Sequence, residues 1–549
     1  MARIRVSSLI LALFLAYFAL IFNIYNLQLE KGNYFSARAE TQDRLSGFLE
    51  PRRGDIYFID KDGVLIPVAM NKSYPVIFAV PKEISDPEET AEVISSVLGL
   101  DNKKIAQSFG KANDEYELLV SKAVSEQVSA IKNLALEGIY VDEKESRFYP
   151  FKELAAHLLG FVGPSDDNNT FEGKYGLEAY FNDSLGGVLE FNKDNQPTGA
   201  IKGKDLVLTI DRNIQARAEE ILKKLVEQYS AVGGTVLVNE PASGRILAMG
   251  NYPTFDPNGY WNYQVGNFLN PAIQGIYEPG SIFKVITMAA GIDSGKITPQ
   301  TAFNDLGSVS YNGYTIKNWD LKAHGRVTMT EAIEQSINTA AVFAERQTGH
   351  DIFYNYLLKF GFGEKTDIKL PGELRGSLKT LEQNGKDINF ATASFGQGVS
   401  LTPLQLLSAV GAIANDGKLM KPIILKDEKP RVVRRVISES AAKQVAEMMV
   451  SAVDKARIAK IENYEVAGKT GTAQVPDFQN GGYTDKVTNS YAGFAPASNP
   501  RFTILFKLDK PEGSPLAGLT VVPAFRELAQ FILNYYNVPP DRLAPQIKP

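Results

Sequence analysis

The sequence predicts a multidomain chain with a single N-terminal membrane-spanning helix, a mixed α+β region, and a C-terminal α/β domain whose antiparallel sheet is flanked by helices. Three observations support this prediction. The chain has 549 residues, more than one typical domain requires. An uncharged apolar stretch lies near its N-terminus. Strand patterns at the two ends of the C-terminal part enclose helical patterns, as in a layered α/β domain.

The composition excludes several classes of function. The net charge is -5, from 58 basic and 63 acidic residues spread along the chain, which does not indicate a nucleic-acid partner. There is no cysteine, which excludes disulfide scaffolds, thiolate catalysis and cysteine zinc sites. The three histidines, His157, His324 and His350, show no metal-ligand spacing. We therefore predict neither a metal nor a cofactor, and we expect any catalytic base to be a residue other than histidine.

Residues 6–29 are predicted to be a retained membrane anchor. No charged residue lies between Arg5 and Glu30, and a helix of this length extends about 36 Å, enough to cross the hydrocarbon core. A cleaved signal peptide is the alternative, but no small-residue cleavage site follows the apolar stretch. Arg3 and Arg5 precede the anchor, so the positive-inside rule places residues 1–5 in the cytoplasm and the rest outside the plasma (inner) membrane.

Residues 30–203 are predicted to form a mixed α+β domain without a catalytic constellation. Strand patterns occur at 74–80 and 137–144, and helical patterns at 87–100 and 125–136. A Gly- and Lys-containing linker, "TGAIKGKD", ends this region.

Residues 204–538 are predicted to form an α/β sandwich. Asp211 is expected to cap its first helix, and residues 234–253 are expected to form a hairpin. Residues 489–511 supply two more strands before a final helix, and residues 539–549 are predicted to be a disordered tail. The apolar faces of the first and the last helix are formed by Ile214, Ala218, Ile221, Leu222 and Leu225, and by Phe525, Leu528, Ala529, Ile532, Leu533 and Tyr536.

The stretch "YEPGSIFKVI", residues 277–286, contains a candidate nucleophile and base. Ser281 and Lys284 begin an almost wholly apolar helix and share one of its faces. Lys284 can act as a base near neutral pH only if burial or a nearby cation lowers its pKa by roughly three units. Taken alone, the spacing is better explained by a capping serine and a lysine that reaches solvent. Ser108 and Lys111 repeat the same spacing in a polar stretch.

Two later stretches change this interpretation. Ser336 and Asn338 enter another apolar helix, where both residue types are also common caps. Residues 469–472 read Lys-Thr-Gly-Thr in a β-rich stretch, and a phosphate-binding loop is disfavoured because Asn463 stands where it needs glycine. Ser-x-x-Lys, Ser-x-Asn and Lys-Thr-Gly, in this order within one α/β domain, are the signature set of penicillin-interacting serine enzymes.

Over nearly its full length the sequence resembles the class B penicillin-binding proteins, which are monofunctional peptidoglycan D,D-transpeptidases. The resemblance implies a cytoplasmic tail, an anchor, a non-catalytic pedestal of the dimerisation type at 30–203, and a β-lactamase-like transpeptidase domain at 204–538. The further matching stretches are Arg52 to Ile56, Ala155 to Gly163, Tyr175 to Phe181, Leu208 to Gln215, Asn251 to Asn258 and Ser394 to Leu406.

The resemblance implies a role for each matched residue. Ser281 would attack the carbonyl between two terminal D-alanines of a stem peptide and form an acyl-enzyme, with Lys284 taking its proton. The positive charge of Lys469 would help to keep Lys284 neutral. Ser336 would relay a proton to the leaving amine, and Asn338 would bind a substrate amide.

The same resemblance assigns the strand of the third motif to substrate binding. Lys469, Thr470 and Thr472 would hold the terminal carboxylate of the donor, and Gly471 would let the peptide lie beside the strand. The backbone N–H groups of Ser281 and Thr472 would form the oxyanion hole. An amino group of a neighbouring stem peptide would then take the acyl group, and β-lactams would acylate Ser281.

The resemblance also bears on role and partners. Residues 251–258 and 277–292 favour a division-type over an elongation-type enzyme, and a D,D-carboxypeptidase is a further alternative. A β-lactamase is disfavoured, because it needs no anchor or pedestal and because no Glu-x-x-x-Asn loop follows Ser336. The expected partners are stem peptides, glycan made from lipid-linked precursor, an integral-membrane glycan polymerase, and other cell-wall machinery.

Overall fold

A computed structural model describes Tyr17 and residues 51–542, except 111–116, 166–170, 193–196, 383–384, 478 and 514–515. The predicted cytoplasmic tail and, apart from Tyr17, the predicted anchor at 6–29 lie outside the described residues. Of the helices in the described part of the chain, none is both long and apolar enough to span a membrane.

Strands and helices are numbered here along the chain. The strands are β1 (Ile56–Ile59), β2 (Leu65–Ala79), β3 (Glu117–Val120), β4 (Ile139–Phe148), β5 (Val162–Pro164), β6 (Phe171–Gly173), β7 (Val188–Phe191), β8 (Pro197–Ile201), β9 (Leu206–Val207), β10 (Gly233–Asn239), β11 (Ile246–Tyr252), β12 (Ala302–Asp305), β13 (Ser308–Tyr311), β14 (Tyr314–Lys317), β15 (Gly325–Thr328), β16 (Lys418–Met420), β17 (Val432–Arg435), β18 (Ala467–Pro476), β19 (Tyr483–Ala495) and β20 (Phe502–Asp509). The helices are α1 (Pro87–Leu98), α2 (Asn102–Phe109), α3 (Ser125–Leu134), α4 (Ala156–Leu159), α5 (Gly176–Tyr180), α6 (Asn182–Leu185), α7 (Arg212–Gln228), α8 (Pro271–Gln274), α9 (Phe283–Asp293), α10 (Met329–Glu334), α11 (Asn338–Thr348), α12 (His350–Lys359), α13 (Asp387–Ala393), α14 (Pro403–Ala414), α15 (Glu439–Ala456) and α16 (Val521–Tyr535).

The chain divides into two compact units. Among the described residues, the first unit consists of 51–55, Ala69–Pro150 and Asp183–Asp205, and the second consists of Ile56–Val68, Phe151–Asn182 and 206–542. Two segments predicted to belong to the pedestal therefore group with the second unit. The reason is their bonding: β1 pairs in parallel with β9, and the amide of Ala155 donates to the Glu219 carboxylate on α7.

The first unit is built on the part of β2 from Ala69 onward, with β3 and β4 paired antiparallel to it. Ile77 of β2 lies opposite both Val120 and Val141. Helix α1 begins at Pro87 because the Asp86 side chain accepts the first free amide groups. The strands and helices predicted around residues 74–144 are confirmed. The core of the first unit consists of Ile77, Ala79, Ile84, Ala91, Ile94, Leu98, Ile105, Phe109, Ala123, Ile131 and Ile139.

The second unit contains a five-stranded antiparallel sheet in the order β11-β10-β20-β19-β18. Leu237 of β10 lies opposite Met249 of β11 and Leu505 of β20, so segments more than 200 residues apart form one sheet. Such a sheet, flanked by helices, is the predicted sandwich, and this prediction is confirmed. β18 ends the sheet, and on its outer side no strand of the described residues pairs with it.

Helices cover the sheet and supply its core. The Asp211 carboxylate caps α7 as predicted, accepting from the amides of Asn213 and Ile214. The predicted apolar faces of α7 and α16 are buried in one cluster with the sheet, apart from Tyr536, which is only partly buried. Helix α9 is buried at every position from Phe283 to Ile292, which confirms the predicted central helix. Each large apolar side chain buried there contributes about 1.5–3 kcal/mol.

Residues 539–549 were predicted to be a disordered tail, but two of them, Asp541 and Arg542, form hydrogen bonds with the folded domain. The Arg542 guanidinium forms two 2.7 Å contacts with the Asp454 carboxylate. The Asp541 carboxylate accepts from the amide of Glu465 at 2.8 Å. The charge-assisted bonds hold these two residues on the second unit, whereas residues 543–549 lie outside the described part.

Candidate active site

Ser281 lies in a one-turn 3-10 helix, Gly280–Ile282, immediately before α9. Gly280 has a φ of 60°, and a Cβ placed on it would lie 2.9 Å from the Thr472 carbonyl oxygen of β18. Glycine is therefore required where this turn approaches the strand. The amide of Gly280 donates to the carbonyl of Gly396 at 3.1 Å. Ser281 is partly exposed, while the helix that follows it is buried, so the hydroxyl lies at the surface of the core.

The Lys284 side chain is 0% exposed and is held by three oxygen atoms. Its Nζ donates to the Ser336 carbonyl at 2.5 Å and to Asn338 Oδ1 at 2.8 Å, and it lies 3.2 Å from Ser336 Oγ. Burial, and after it the charge of Lys469, lowers the pKa of Lys284 well below its usual value. The lowered pKa favours the neutral amine, which can act as a base. The sequence analysis expected a shift of the pKa in this direction.

No described hydrogen bond joins Lys284 to Ser281. The amine instead contacts Ser336 and Asn338, which belong to the second motif. Contacts of a catalytic base are often long before substrate binds, so this geometry is compatible with proton transfer from Ser281.

Ser336 connects the two buried lysines. It lies between α10 and α11 with a φ of 57°, a left-handed conformation that is uncommon for residues other than glycine. Its hydroxyl oxygen lies 3.2 Å from Lys284 Nζ and 3.0 Å from Lys469 Nζ. A serine hydroxyl has one proton and two acceptor positions, so it can accept from a charged Lys469 and donate its own proton toward a neutral Lys284.

Lys469 is a residue of β18, and its side chain lies on the buried face of this strand. It is 4% exposed, and its Nζ also contacts the carbonyl and hydroxyl of Thr470, each at 3.2 Å. Burial lowers the pKa of Lys469 to about 7. Because side chains alternate along a strand, Lys469 and Gly471 share one face, and Thr470 and Thr472 share the other. Thr472 is exposed and Thr470 partly so, which leaves these two hydroxyls available to a ligand.

The predicted reason for Gly471 needs correction. A Cβ on Gly471 would lie 2.5 Å from the Pro279 carbonyl oxygen and 2.5 Å from Ser490 Oγ. The bare backbone is thus needed for the close approach of the Ser281 turn to β18. Space for an added peptide is provided by the position of β18 at the sheet edge.

Asn338 is fixed by residues that no motif indicated. Its Nδ2 donates to the Lys317 carbonyl at 2.9 Å, which leaves one amide hydrogen for a substrate. Its backbone amide donates to Oδ1 of the buried Asn318 at 3.1 Å. Asn318 in turn donates to the Asp305 carboxylate at 2.7 Å, and Thr339 donates to the same group at 2.6 Å.

Asp305 thereby anchors the start of α11. Burial disfavours its charged form, but hydrogen bonds from Thr339, Gly307, His324 and Asn318 outweigh burial and lower its pKa. Sequence reasoning missed Asp305 and Asn318, since an isolated Asp and Asn in a strand and a turn carry no recognisable spacing. The structure thus brings Ser281, Lys284, Ser336, Asn338 and residues 469–472 together in one place, and it adds Asp305 and Asn318 as their support.

Comparison with known proteins identifies the family. Residues 48–208 match the model of the penicillin-binding protein dimerisation domain, and residues 234–530 match that of the penicillin-binding protein transpeptidase domain. The chain is 34% identical over 504 residues to stage V sporulation protein D of Bacillus subtilis, covering 86% of this chain and 76% of that protein. It is 28% identical over 559 residues to a probable peptidoglycan D,D-transpeptidase PenA of Neisseria meningitidis, covering 98% and 94%.

Solved structures agree with this assignment. A peptidoglycan synthetase from Bifidobacterium adolescentis superposes with a TM-score of 0.68 at 26% identity, covering 91% of this chain and 98% of that one. Penicillin-binding protein 2X from Streptococcus thermophilus shares the fold, with a TM-score of 0.71 at 23% identity and coverage of 89% and 80%. The chain therefore belongs to the penicillin-binding proteins, with a dimerisation domain followed by a transpeptidase domain. The predicted family and the predicted enzyme class, a penicillin-binding transpeptidase, are confirmed.

Proposed function

We propose that this protein cross-links peptidoglycan as a D,D-transpeptidase and that Ser281 is its nucleophile. The observation that carries the assignment of the site is the convergence of two buried lysines on the Ser336 hydroxyl: Lys284, one helical turn after Ser281, and Lys469. Relatives named peptidoglycan D,D-transpeptidases, among them PenA of Neisseria meningitidis and an FtsI homolog of Mesostigma viride, support the reaction.

In the acylation step the neutral Lys284 amine takes the proton of Ser281. A neutral amine has two hydrogens, which suffice for the Ser336 carbonyl and Asn338 Oδ1, and a lone pair that accepts a proton. Ser281 Oγ bonds to the carbonyl carbon between the two terminal D-alanines of the donor. Backbone N–H groups of Ser281 and Thr472 stabilise the oxyanion, each donor contributing about 3 kcal/mol.

The tetrahedral intermediate then collapses, and the C–N bond to the last D-alanine breaks. The proton held by Lys284 passes through the Ser336 hydroxyl to the departing nitrogen, so free D-alanine leaves as a neutral amine. In the second half-reaction an amino group of a neighbouring stem peptide bonds to the acyl carbon. Its proton follows the reverse route and restores Ser281 and Lys284.

Donor binding is assigned to β18. The terminal carboxylate of the donor contacts Thr470 and Thr472, with the charge of Lys469 beneath them. The remaining amide hydrogen of Asn338 binds a substrate carbonyl. A carboxylate close to Lys469 favours its charged form and so opposes the effect of burial on the pKa of Lys469.

The cellular role is proposed from the sequence. We assign a role in division, supported by the stretches 251–258 and 277–292, with wall elongation and D,D-carboxypeptidase activity as alternatives. Residues 6–29 form a single-pass anchor in the plasma (inner) membrane, with the catalytic domain outside the cytoplasm. An integral-membrane glycan polymerase is the partner that supplies the glycan. β-Lactams are expected to inhibit the enzyme by acylating Ser281.

Covalent labelling tests this proposal. The full-length protein is incubated with a fluorescent penicillin and examined by denaturing gel and intact mass. We expect a stable one-to-one adduct on the wild type and on Ser108→Ala, the matched control with the same Ser-x-x-Lys spacing, and none on Ser281→Ala. An adduct on Ser281→Ala would overturn the assignment of the nucleophile.

Product analysis distinguishes the two reactions of the acyl-enzyme. A pentapeptide ending in D-Ala-D-Ala is supplied with and without an amino-acceptor peptide, and the products are identified by mass. Cross-linked dimer in the presence of acceptor supports a transpeptidase. A tetrapeptide as the sole product under both conditions would identify a carboxypeptidase instead.

A further inference from the structure

The Glu278 carboxylate joins three segments of the second unit. It lies three residues before Ser281. Its Oε1 accepts from the backbone amide of Gly398 at 2.9 Å. The Tyr483 hydroxyl lies 3.0 Å from Oε2 and 3.3 Å from Oε1. No motif of the sequence indicated Glu278 or Tyr483.

Each of these segments borders the Ser281 turn. The loop that contains Gly398 is packed against the turn, because a Cβ on Gly396 would lie 2.3 Å from the Gly280 carbonyl oxygen. Tyr483 is the first residue of β19 and pairs with Pro476 at the last position of β18. The Tyr483 contact therefore holds the end of the β18–β19 ribbon that is farthest from Lys469.

The position of Thr472 depends on both ends of this ribbon. Lys469 bonds to Ser336 near one end of β18, and Tyr483 bonds to Glu278 at the other. Thr472 lies between these two attachments. Because Tyr483 is 41% exposed, its bond to Glu278 can break without opening the core. Burial raises the pKa of Glu278, which agrees with a carboxyl group enclosed by these segments.

We propose that Glu278 and Tyr483 form a latch that holds the β18–β19 ribbon against the Ser281 turn. The latch sets the spacing between the backbone N–H groups of Ser281 and Thr472, and thereby the rate of acylation. Both are positioning residues, since neither contacts the reacting atoms. The inference rests on the proposed function, in which Ser281 is the nucleophile and these N–H groups bind the oxyanion.

Acylation kinetics of the full-length protein test the latch. Stopped-flow measurements with a fluorescent penicillin separate the dissociation constant of the initial complex from the acylation rate constant. The variants are Tyr483→Phe, Glu278→Ala, the double variant and Glu278→Gln. Tyr180→Phe, which alters an exposed tyrosine of α5, is the matched control.

We expect Tyr483→Phe and Glu278→Ala each to lower the acylation rate constant about 2- to 10-fold, the range typical of one hydrogen bond, with little change in the dissociation constant. The double variant should be no slower than the slower single variant, because the two substitutions remove the same interaction. Glu278→Gln keeps an acceptor and should restore a rate close to that of the wild type. Tyr180→Phe should have no effect.

Additive losses in the double variant, or an unchanged rate in Tyr483→Phe, would overturn the latch. An equal loss in Glu278→Gln and Glu278→Ala would also overturn it. If Glu278→Ala does not fold, Tyr483→Phe and Glu278→Gln decide the question. A folded wild type that forms no adduct would refute the proposed function itself, so the two failures are distinguishable.

Discussion

Lys284 and Lys469 contact the same oxygen atom, Ser336 Oγ, at 3.2 and 3.0 Å. Both side chains are buried, and two charged ammonium groups at one hydroxyl would repel each other. The pKa of Lys284 is lowered by burial and by the neighbouring charge, whereas that of Lys469 is lowered by burial to about 7. Of the two amines, Lys284 is therefore the one that gives up its proton more readily, while Lys469 keeps its charge below a pH of about 7.

The first prediction concerns the pH dependence of acylation. Acylation requires a neutral Lys284, so its rate rises with pH through the pKa of that amine. Lys469→Gln removes the charge that lowers this pKa, and the rising limb should move to higher pH. The measurement is the rate of penicillin acylation between pH 5 and 10. A midpoint that stays in place or moves to lower pH would refute the coupling of the two lysines.

The second prediction concerns the support of α11 by Asn318. Its Oδ1 accepts from the amides of Asn338 at 3.1 Å and Thr339 at 3.2 Å, as an N-cap does. Asn318→Ala should lower the free energy of unfolding by about 1–2 kcal/mol and slow acylation. Thermal unfolding and the labelling rate measure the two effects. Asn355→Ala, at an exposed position of α12, is the control and should change neither, while equal behaviour of the two variants would exclude this role for Asn318.

The third prediction concerns the approach of β18 to the Ser281 turn. A methyl group on Gly471 would collide with the Pro279 carbonyl and Ser490 Oγ, both 2.5 Å from its position. Gly471→Ala should destabilise the protein by about 1–3 kcal/mol and reduce penicillin labelling of the folded fraction. In the control Gly266→Ala, the added Cβ would meet no atom within 4 Å. Full labelling by a stable Gly471→Ala variant would contradict this packing.

The fourth prediction concerns stability and pH at His350. Its Nδ1 lies 2.6 Å from Glu345 Oε1 and its Nε2 lies 3.0 Å from Asp387 Oδ1, so the ring joins α11, α12 and α13. Burial and the charge of Arg346 oppose protonation, but the two carboxylates outweigh them and raise the pKa of His350. The stabilisation is complete below the unfolded pKa of about 6.5 and is lost as pH rises through the folded pKa.

Unfolding temperatures of the wild type and His350→Gln measure this effect. The advantage of the wild type should be largest near pH 6 and should shrink steadily toward pH 9. A His350→Gln profile parallel to that of the wild type would show that the imidazole carries no linked proton.

The sequence predicted those parts of the site that depend on neighbouring residues. Ser281 and Lys284 share a helix face, and Ser336 and Asn338 begin a helix, so spacing alone indicates their geometry. The antiparallel sheet was predictable because its strands have apolar patterns and its segments lie at both ends of the domain.

Contacts between distant segments were not predictable in this way. Asn318 bonds to Asp305 and to the start of α11, and Glu278 bonds to Tyr483 more than 200 residues away. Periodicity and capping rules describe residues a few positions apart and contain no information on such pairs. For the same reason the sequence did not indicate why glycine is needed at position 471, where a carbonyl of another segment leaves no room for a Cβ. Nor did it indicate that Arg542 pairs with Asp454, which lies on α15.

The open edge of β18 also has a consequence for selectivity. An unpaired strand accepts any extended chain, including another copy of the protein, and natural edges are kept short for this reason. Pro476 ends β18 and has no N–H to offer, so pairing cannot extend past it. Pairing along this edge is therefore limited to the ten residues from Ala467 to Pro476. A short ligand with a carboxylate at its end fits within this length, whereas a longer strand that would start aggregation cannot pair along its whole length.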